Sequence, residues 1–144
     1  MSPFAVVSVM TTLFRRALTH MRTCRENHAE NNACYDFWNR QRGLENTLLQ
    51  ITAALGYTRG IPPPLDPKLI FVGFLDQMIL MCLHKAAADR AAATKLPLAV
   101  VMESEKRCTE CAIELARLIR AGSTDCPFDS VSPSLTAMRG NGAC

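Results

Sequence analysis

The fold is decided by residues 65–91, LDPKLIFVGFLDQMILMCLHKAAADRA, in which apolar side chains follow one another with few polar interruptions. Asp66 and Pro67 predict a helix start, because an aspartate carboxylate caps free backbone amides and proline at the first helical position loses no hydrogen bond. The helix is predicted to run to about Thr94. Apolar residues surround it on nearly every side, which is typical of a central helix buried by its neighbours. The apolar run at 69–83 is short of the roughly 20 residues that a membrane-spanning helix needs.

Three further helices are predicted around this central helix. Residues 4–23 and 35–55 repeat apolar side chains at steps of three and four, which is typical of amphipathic helices. A last helix is predicted at 102–121, with Gly122 as a left-handed cap. Its apolar stripe is predicted to contain Cys108, Cys111, Ala112, Leu115, Leu118 and Ile119. No convincing strand alternation is found, so the predicted fold class is all-α, an irregular array of about four main helices with a buried central helix.

The length of 144 residues corresponds to one domain. A compact domain of this size buries roughly 68–70% of the surface that its unfolded chain exposes, so a sizeable core is expected. We predict a helical domain over residues 1–122. Residues 123–144 are rich in turn formers and show no sustained period, and a disordered tail is expected there.

The net charge of +3, from 16 basic and 13 acidic residues, is too small to imply a nucleic-acid surface. Acidic residues at positions 26 and 30 follow the densest basic group directly. We therefore interpret that group as a solvated helix flank, with a phosphate-binding patch as the alternative. The group consists of Arg15, Arg16, Arg22 and Arg25.

The seven cysteines and the N-terminal sequence bear on the redox compartment. The first arginines follow the apolar stretch at the N-terminus, whereas a secretory signal peptide has its positive charges before it. An odd number of cysteines at irregular spacing then favours reduced thiols in the cytosol or nucleus.

Cys108 and Cys111 have the two-residue spacing that lets two thiolates share a zinc ion or form a redox pair. A structural zinc site needs four ligands, and no second such pair is present. The redox motif follows a strand in a βαβ unit, which is not predicted here. Both cysteines lie on the predicted apolar stripe, so core packing is favoured and redox or metal chemistry is the alternative.

Catalytic motifs are not found in the sequence. It has neither a Gly-x-Ser-x-Gly elbow nor a phosphate-cradling glycine-rich loop. His84 is interpreted as a structural residue satisfied by a hydrogen bond, as is usual for a lone histidine on a helix. We therefore predict that the chain is not an enzyme.

Three blocks resemble, in order and spacing, the regulatory middle homology region of fungal zinc-cluster transcription factors. They are YDFWNRQRGLENTLLQ (35–50), residues 65–91 and LPLAVVMESEKRCTECAIELARLI (96–119). The first block matches the family pattern at Phe37, Trp38, Arg42, Leu44 and Asn46. The second matches it at Cys82, Leu83, His84, Ala86 and Ala87. The third matches it at Leu96, Pro97, Glu103, Ser104, Arg107 and Cys108.

This resemblance implies a non-catalytic regulatory domain of a nuclear transcription factor, lying C-terminal to a separate DNA-binding module. Its partners would be other parts of the transcription-factor polypeptide or transcriptional regulators. In the family, zinc belongs to a six-cysteine module, and the cysteine spacing here lacks that pattern. We therefore expect no cofactor, no direct DNA contact and no membrane contact for this chain. The seven cysteines stand at positions 24, 34, 82, 108, 111, 126 and 144.

The resemblance also implies that the chain is a fragment or a truncated product, because the family's helices continue beyond the matched region. Part of the surface of the central helix should then be exposed, and exposed apolar patches favour association. Self-association or poor solubility is therefore expected. The predicted patch lies around Phe71, Phe74, Met78 and Met81.

Overall fold

A computed structural model describes residues 3–26, 32–59 and 66–124, which contain four α-helices and no strand. The predicted all-α class is confirmed. The tail predicted at 123–144 lies outside the described residues from 125 onward, and its first two residues belong to the last helix. The helices are α1 (Pro3–Glu26), α2 (Asn32–Ala54), α3 (Pro67–Ala93) and α4 (Leu98–Thr124).

The predicted central helix is α3, which contacts each of the other three helices. Among the described helices, α4 packs against α3 alone, and α1 and α2 meet only over a short stretch. The main core lies where α1 and α2 cover α3, and burial of its apolar side chains contributes roughly 25 cal/mol per Å2. It contains Val6, Met10, Leu13, Ala17, Leu44, Leu48, Tyr57, Val72, Leu75, Ile79, Leu80, Leu83 and Cys111.

Length and composition alone would allow α3 to cross a membrane, since it has 27 residues and a window of mean hydropathy 1.5. The core helix of a soluble protein meets the same criteria, and 50% of that window is buried in the fold. The helix also carries a fully buried carboxylate, Asp76, which is paired with Arg59 from the preceding segment. These contacts identify α3 as the core helix of this fold.

Both ends of α3 are capped. The carboxylate of Asp66 accepts a hydrogen bond from the amide of Lys68 at 2.9 Å, which confirms the predicted start. At the other end, the amide of Lys95 donates to the carbonyl of Ala92, and the amide of Leu96 donates to the carbonyl of Ala91. Lys95 has φ of 55°, so it occupies the left-handed position that usually belongs to glycine.

The predicted limits of α4 are wrong at both ends. The helix begins at Leu98 rather than 102, because Pro97 stands just before its first turn and accepts a hydrogen bond from the amide of Val100. It also continues through Gly122, and the only described glycine with positive φ is Gly56. A Cβ added at position 122 would make an ordinary contact with Ile70 Cγ2 at 3.8 Å, so this part of the helix faces α3.

The segment after α2 is clamped onto α3. Gly56 has φ of 74° and ends α2 with a left-handed turn, in which the amide of Tyr57 bonds to the carbonyl of Thr52. The ring of Tyr57 then covers Gly73, where an added Cβ would lie 2.8 Å from the ring. Any larger residue at position 73 would force the Tyr57 ring to shift, so glycine is favoured there.

The predicted exposed patch on α3 is only partly present. Phe71 is 38% exposed, while the other three residues predicted there are half-buried. Half of the large exposed apolar side chains of the described residues lie instead on α4, because that helix is covered on one side only. Ala112 and Ile119, predicted on its buried stripe, are exposed as well. The most exposed apolar residues of α4 are Leu98 (70%), Ile113 (66%), Met102 (59%) and Ile119 (52%).

Candidate functional site

A groove of about 530 Å3 lies between α2 and α4, with α3 at its base, and we call it the motif groove. It forms because α2 and α4 both pack on α3 but do not contact each other over their described lengths. Helix α2 contributes Trp38, Gln41, Arg42 and Glu45, α3 contributes His84 and Ala87, and α4 contributes Ala99, Val100, Glu103, Ser104 and Arg107.

The motif groove brings together residues from all three blocks that carry the family resemblance. These blocks are separated by two connections in the sequence, yet their side chains converge on one cleft. The predicted residues that line it are Trp38, Arg42, His84, Ala87, Glu103, Ser104 and Arg107.

The other predicted residues lie outside the groove. Phe37, Leu44, Leu83 and Ala86 are buried in the core, Asn46 is exposed, and Cys82 and Cys108 are half-buried. Leu96 and Pro97 form the connection between α3 and α4, where they close the turn after Lys95.

The indole of Trp38 is positioned by the aromatic residue before it. Its ring packs edge-on against Phe37, with ring centroids 4.9 Å apart and an angle of 86°. On its other side, Phe37 stacks on His20 with a centroid distance of 4.5 Å. Edge-to-face and stacked arrangements both suit the aromatic quadrupole, so Trp38 is held against a buried, ordered support.

Gln41 is a buried residue of the site that the sequence analysis did not identify. Its Nε2 donates to Leu83 O at 3.1 Å and to Glu45 Oε1 at 2.8 Å. Both partners are acceptors, so the amide oxygen must face His20, whose Nε2 lies 2.9 Å away and must carry the proton. Gln41 lies between Phe37 and Leu44 on the buried stripe of α2. A polar residue on an otherwise apolar stripe is the sequence feature that could have indicated a buried hydrogen-bonding role.

His84 is half-buried in the motif groove, and burial lowers its pKa from the ordinary value. Its imidazole is therefore neutral at pH 7. The hydrogen bond that we predicted for His84 is not found among the described residues. Its ring nitrogens can consequently serve as donor and acceptor for a molecule in the groove.

Charges of both signs border the groove. Arg107 Nε donates to Glu103 Oε1 at 2.8 Å across one helical turn, and this hydrogen bond lowers the pKa of Glu103. On the opposite wall, Arg42 is exposed, and no described carboxylate lies within ion-pair distance of it. Among the described residues, the groove thus has one guanidinium that is paired with a carboxylate and, on the facing helix, one that is not.

The cysteines of α4 lie at its interface with α3. Cys111 belongs to the main core, and burial raises the pKa of its thiol to about 11. The thiol of Cys108 points to Met81 O at 3.9 Å. A nucleophilic or metal-binding thiol needs a lowered pKa, which is opposite to the shift at Cys111. Within the described ranges, no group of three histidine, cysteine or acidic residues could hold a metal ion.

Comparison with known proteins adds no relative: no protein-family model, no curated protein and no solved structure matches this chain.

Proposed function

We propose that this chain is a non-catalytic, α-helical part of a transcription-factor regulatory domain of the fungal zinc-cluster type. In this proposal it acts in the nucleus by contacting other parts of the transcription-factor polypeptide or transcriptional regulators. One observation supports the proposal most directly: motif residues from three separate blocks line a single groove.

The exposure of these residues argues for contact with a partner. A motif that only maintained the fold would lie in the core, as Leu44 and Leu83 do. Arg42, Glu103 and Arg107 are exposed instead, around the rim of the cleft. Ligand sites take their specificity from a small number of polar or charged groups placed around a concave surface, and these three residues are placed in that way.

The chemistry of the motif groove suits a polypeptide segment. Its volume of about 530 Å3 falls in the range of binding pockets, roughly 300–1,000 Å3. Trp38 offers a large, ordered apolar face, and His84 offers a neutral donor and acceptor. A peptide with both an apolar side chain and a polar backbone would satisfy these groups together.

The test is a reporter assay in which the chain is fused between an unrelated DNA-binding module and a constitutive activation segment. We expect the chain to change transcription from the reporter. Ala99→Trp should abolish this change, because Ala99 is an exposed residue of α4 that lines the groove and an indole would fill the cleft.

The matched control is Ala112→Trp, which places the same side chain on an exposed position of α4 outside the groove. It should leave the effect of the chain intact. Circular dichroism and chromatography of both variants establish that they fold. A reporter that is unaffected by the chain, or equal effects of the two variants, would contradict the proposal.

Redox or metal chemistry at Cys108 and Cys111, the alternative from the sequence, has no comparable support. The raised pKa of Cys111 disfavours a thiolate at neutral pH.

A further inference from the structure

A second groove, also of about 530 Å3, separates α1 from α2, and we call it the basic groove. Arg15 and Arg16 of α1 and Arg40 of α2 line it, and none of its described lining residues carries a carboxylate. It shares no lining residue with the motif groove. Two arginines that we interpreted as a solvated flank thus meet a third across a cleft.

Some arginines of the chain are paired with a carboxylate, whereas the three arginines of the basic groove, like Arg42, have no acidic partner among the described residues. Arg59 and Arg107, for example, each hold a carboxylate at 2.8 Å or closer. In the described part of the chain, no carboxylate lies within ion-pair distance of Arg15, Arg16 or Arg40. Three like charges around one concavity repel one another, and a bound anion would relieve that repulsion.

The other polar side chains that line the basic groove already use their protons in hydrogen bonds within the protein, so the guanidinium groups are the main donors left for a ligand. The hydroxyls of Thr12, Thr19 and Thr47 each donate to a backbone carbonyl in the preceding turn, at 2.7–3.0 Å. The Nε2 proton of His20 is engaged by Gln41. A ligand would therefore be held chiefly by guanidinium groups, which match the geometry of phosphate oxygens in pairs.

Gly43 provides an independent observation, because neither packing nor backbone conformation requires glycine there. It lies inside α2, its φ is not positive, and an added Cβ would meet no atom within 4 Å. Glycine weakens a helix relative to alanine. At this position it leaves the wall of the basic groove bare, so that a ligand can approach the backbone closely.

We propose that the basic groove is a binding site for a small molecule that carries phosphoryl groups. The three arginines supply enough charge for a phosphate dianion or a pyrophosphate, and the volume suits a metabolite-sized ligand. A nucleic-acid duplex would instead require a row of cations along its backbone. This site does not depend on the function proposed for the motif groove.

The experiment is a titration of the chain with pyrophosphate and inorganic phosphate at constant ionic strength, followed by calorimetry and by amide NMR shifts. Saturable binding is expected, with shifts concentrated around Arg16 and Arg40. The double variant Arg16→Gln/Arg40→Gln should bind pyrophosphate at least about tenfold more weakly, because it loses two charge-assisted contacts.

The matched control is Arg22→Gln/Lys106→Gln, which removes the same charge from exposed positions of α1 and α4 that line neither groove. It should change the affinity less than about twofold. Equal weakening in both double variants would show a general charge effect and overturn the proposal. Absence of saturable binding, or tighter binding of a short DNA duplex than of pyrophosphate, would overturn it as well.

Gly43→Leu tests the location without changing charge. The new side chain projects into open space, so the fold should be retained while pyrophosphate binding is lost. Asn46→Leu, an exposed position of α2 outside the groove, is its control. Wild-type affinity in Gly43→Leu would refute the site.

Discussion

Two buried polar clusters hold the middle of α3 in different ways. In the charged cluster, Arg59 donates to Asp76 through Nε at 2.8 Å and Nη2 at 2.6 Å, and Gln77 adds a bond at 3.1 Å. In the amide cluster, Gln41 links His20 of α1 to the carbonyl of Leu83. The first depends on a buried ion pair, whereas the second is centred on neutral groups and reaches one carboxylate, that of the half-buried Glu45.

The difference shows how burial and charge set the cost of losing one partner. Asp76 is 0% exposed, whereas the side chain of Arg59 is 36% exposed. An ion left alone in the interior suffers the full loss of hydration, while an exposed ion can turn to water. Losing Gln41 from the amide cluster leaves two neutral buried groups without their partner, which costs less than an unpaired buried ion, while the half-buried carboxylate of Glu45 can turn to water.

The largest predicted effect is that of Arg59→Ala, which leaves the buried carboxylate of Asp76 with Gln77 as its remaining side-chain partner. We expect a loss of about 3 kcal/mol in the free energy of unfolding. Asp76→Asn should cost less, because the arginine that remains reaches solvent. Urea unfolding of both variants measures the asymmetry, and equal losses would contradict it.

The amide cluster should be less sensitive. Gln41→Leu keeps the volume but leaves His20 Nε2 and Leu83 O without their partner, and about 2 kcal/mol is expected. The exposed Gln50→Leu on the same helix is a control that should change stability by less than about 0.5 kcal/mol. A loss from Gln41→Leu as large as that from Arg59→Ala would remove the distinction between the clusters.

Lowering the pH below about 6.5 should destabilise the amide cluster, which contains His20. Burial is the main cause that lowers the pKa of His20, and also that of His84. Below about pH 6.5 the unfolded chain therefore binds more protons than the folded chain. The contribution of the two neutral histidines to the free energy of unfolding is fully present above about pH 6.5, and it is lost as the pH falls toward their pKa values in the folded chain. The slope is at most about 1.4 kcal/mol per pH unit for each histidine.

Thermal unfolding between pH 8 and pH 5 tests this prediction. His84→Gln should remove part of the slope while leaving the contribution of His20. A flat stability profile below pH 6.5 in the wild-type chain would show that neither histidine is held neutral by the fold.

The smallest effect concerns the clamp beside the charged cluster. Gly73→Ala would bring a methyl group within 2.8 Å of the Tyr57 ring, and a net loss of about 1 kcal/mol is expected after the gain in helix propensity. Gly43→Ala meets open space and should stabilise the chain by up to about 1 kcal/mol. Opposite signs in thermal melts would support the distinction between the two glycines.

Local signals predicted those features that depend on a few neighbouring residues. The start of α3 followed from Asp66 and Pro67, because capping needs only adjacent groups. The end of α4 did not follow from Gly122, because this glycine keeps a helical conformation instead of the left-handed one of a helix cap. Gln41 was missed because one polar residue on an apolar stripe does not reveal its partners on α1 and α3.

For the candidate site as well, the sequence predicted individual residues, whereas the packing of the helices decided which of them lie together. Sequence blocks identified Trp38, His84 and Arg107 as notable residues, but gave no reason to place them in one cleft. The basic groove was equally hidden, since Arg40 is distant in sequence from Arg15 and Arg16. Convergence of side chains from separate helices depends on how those helices pack, which periodicity does not specify.

The sequence by itself determined the all-α class and the start and central position of α3. These properties follow from apolar periodicity, proline and capping groups, which act over a few residues. Only the tertiary structure decided which polar groups are buried together, where α4 ends and how two grooves arise beside α2. Those outcomes depend on long-range packing and desolvation, because a side chain's partners are chosen by the helices that meet around it.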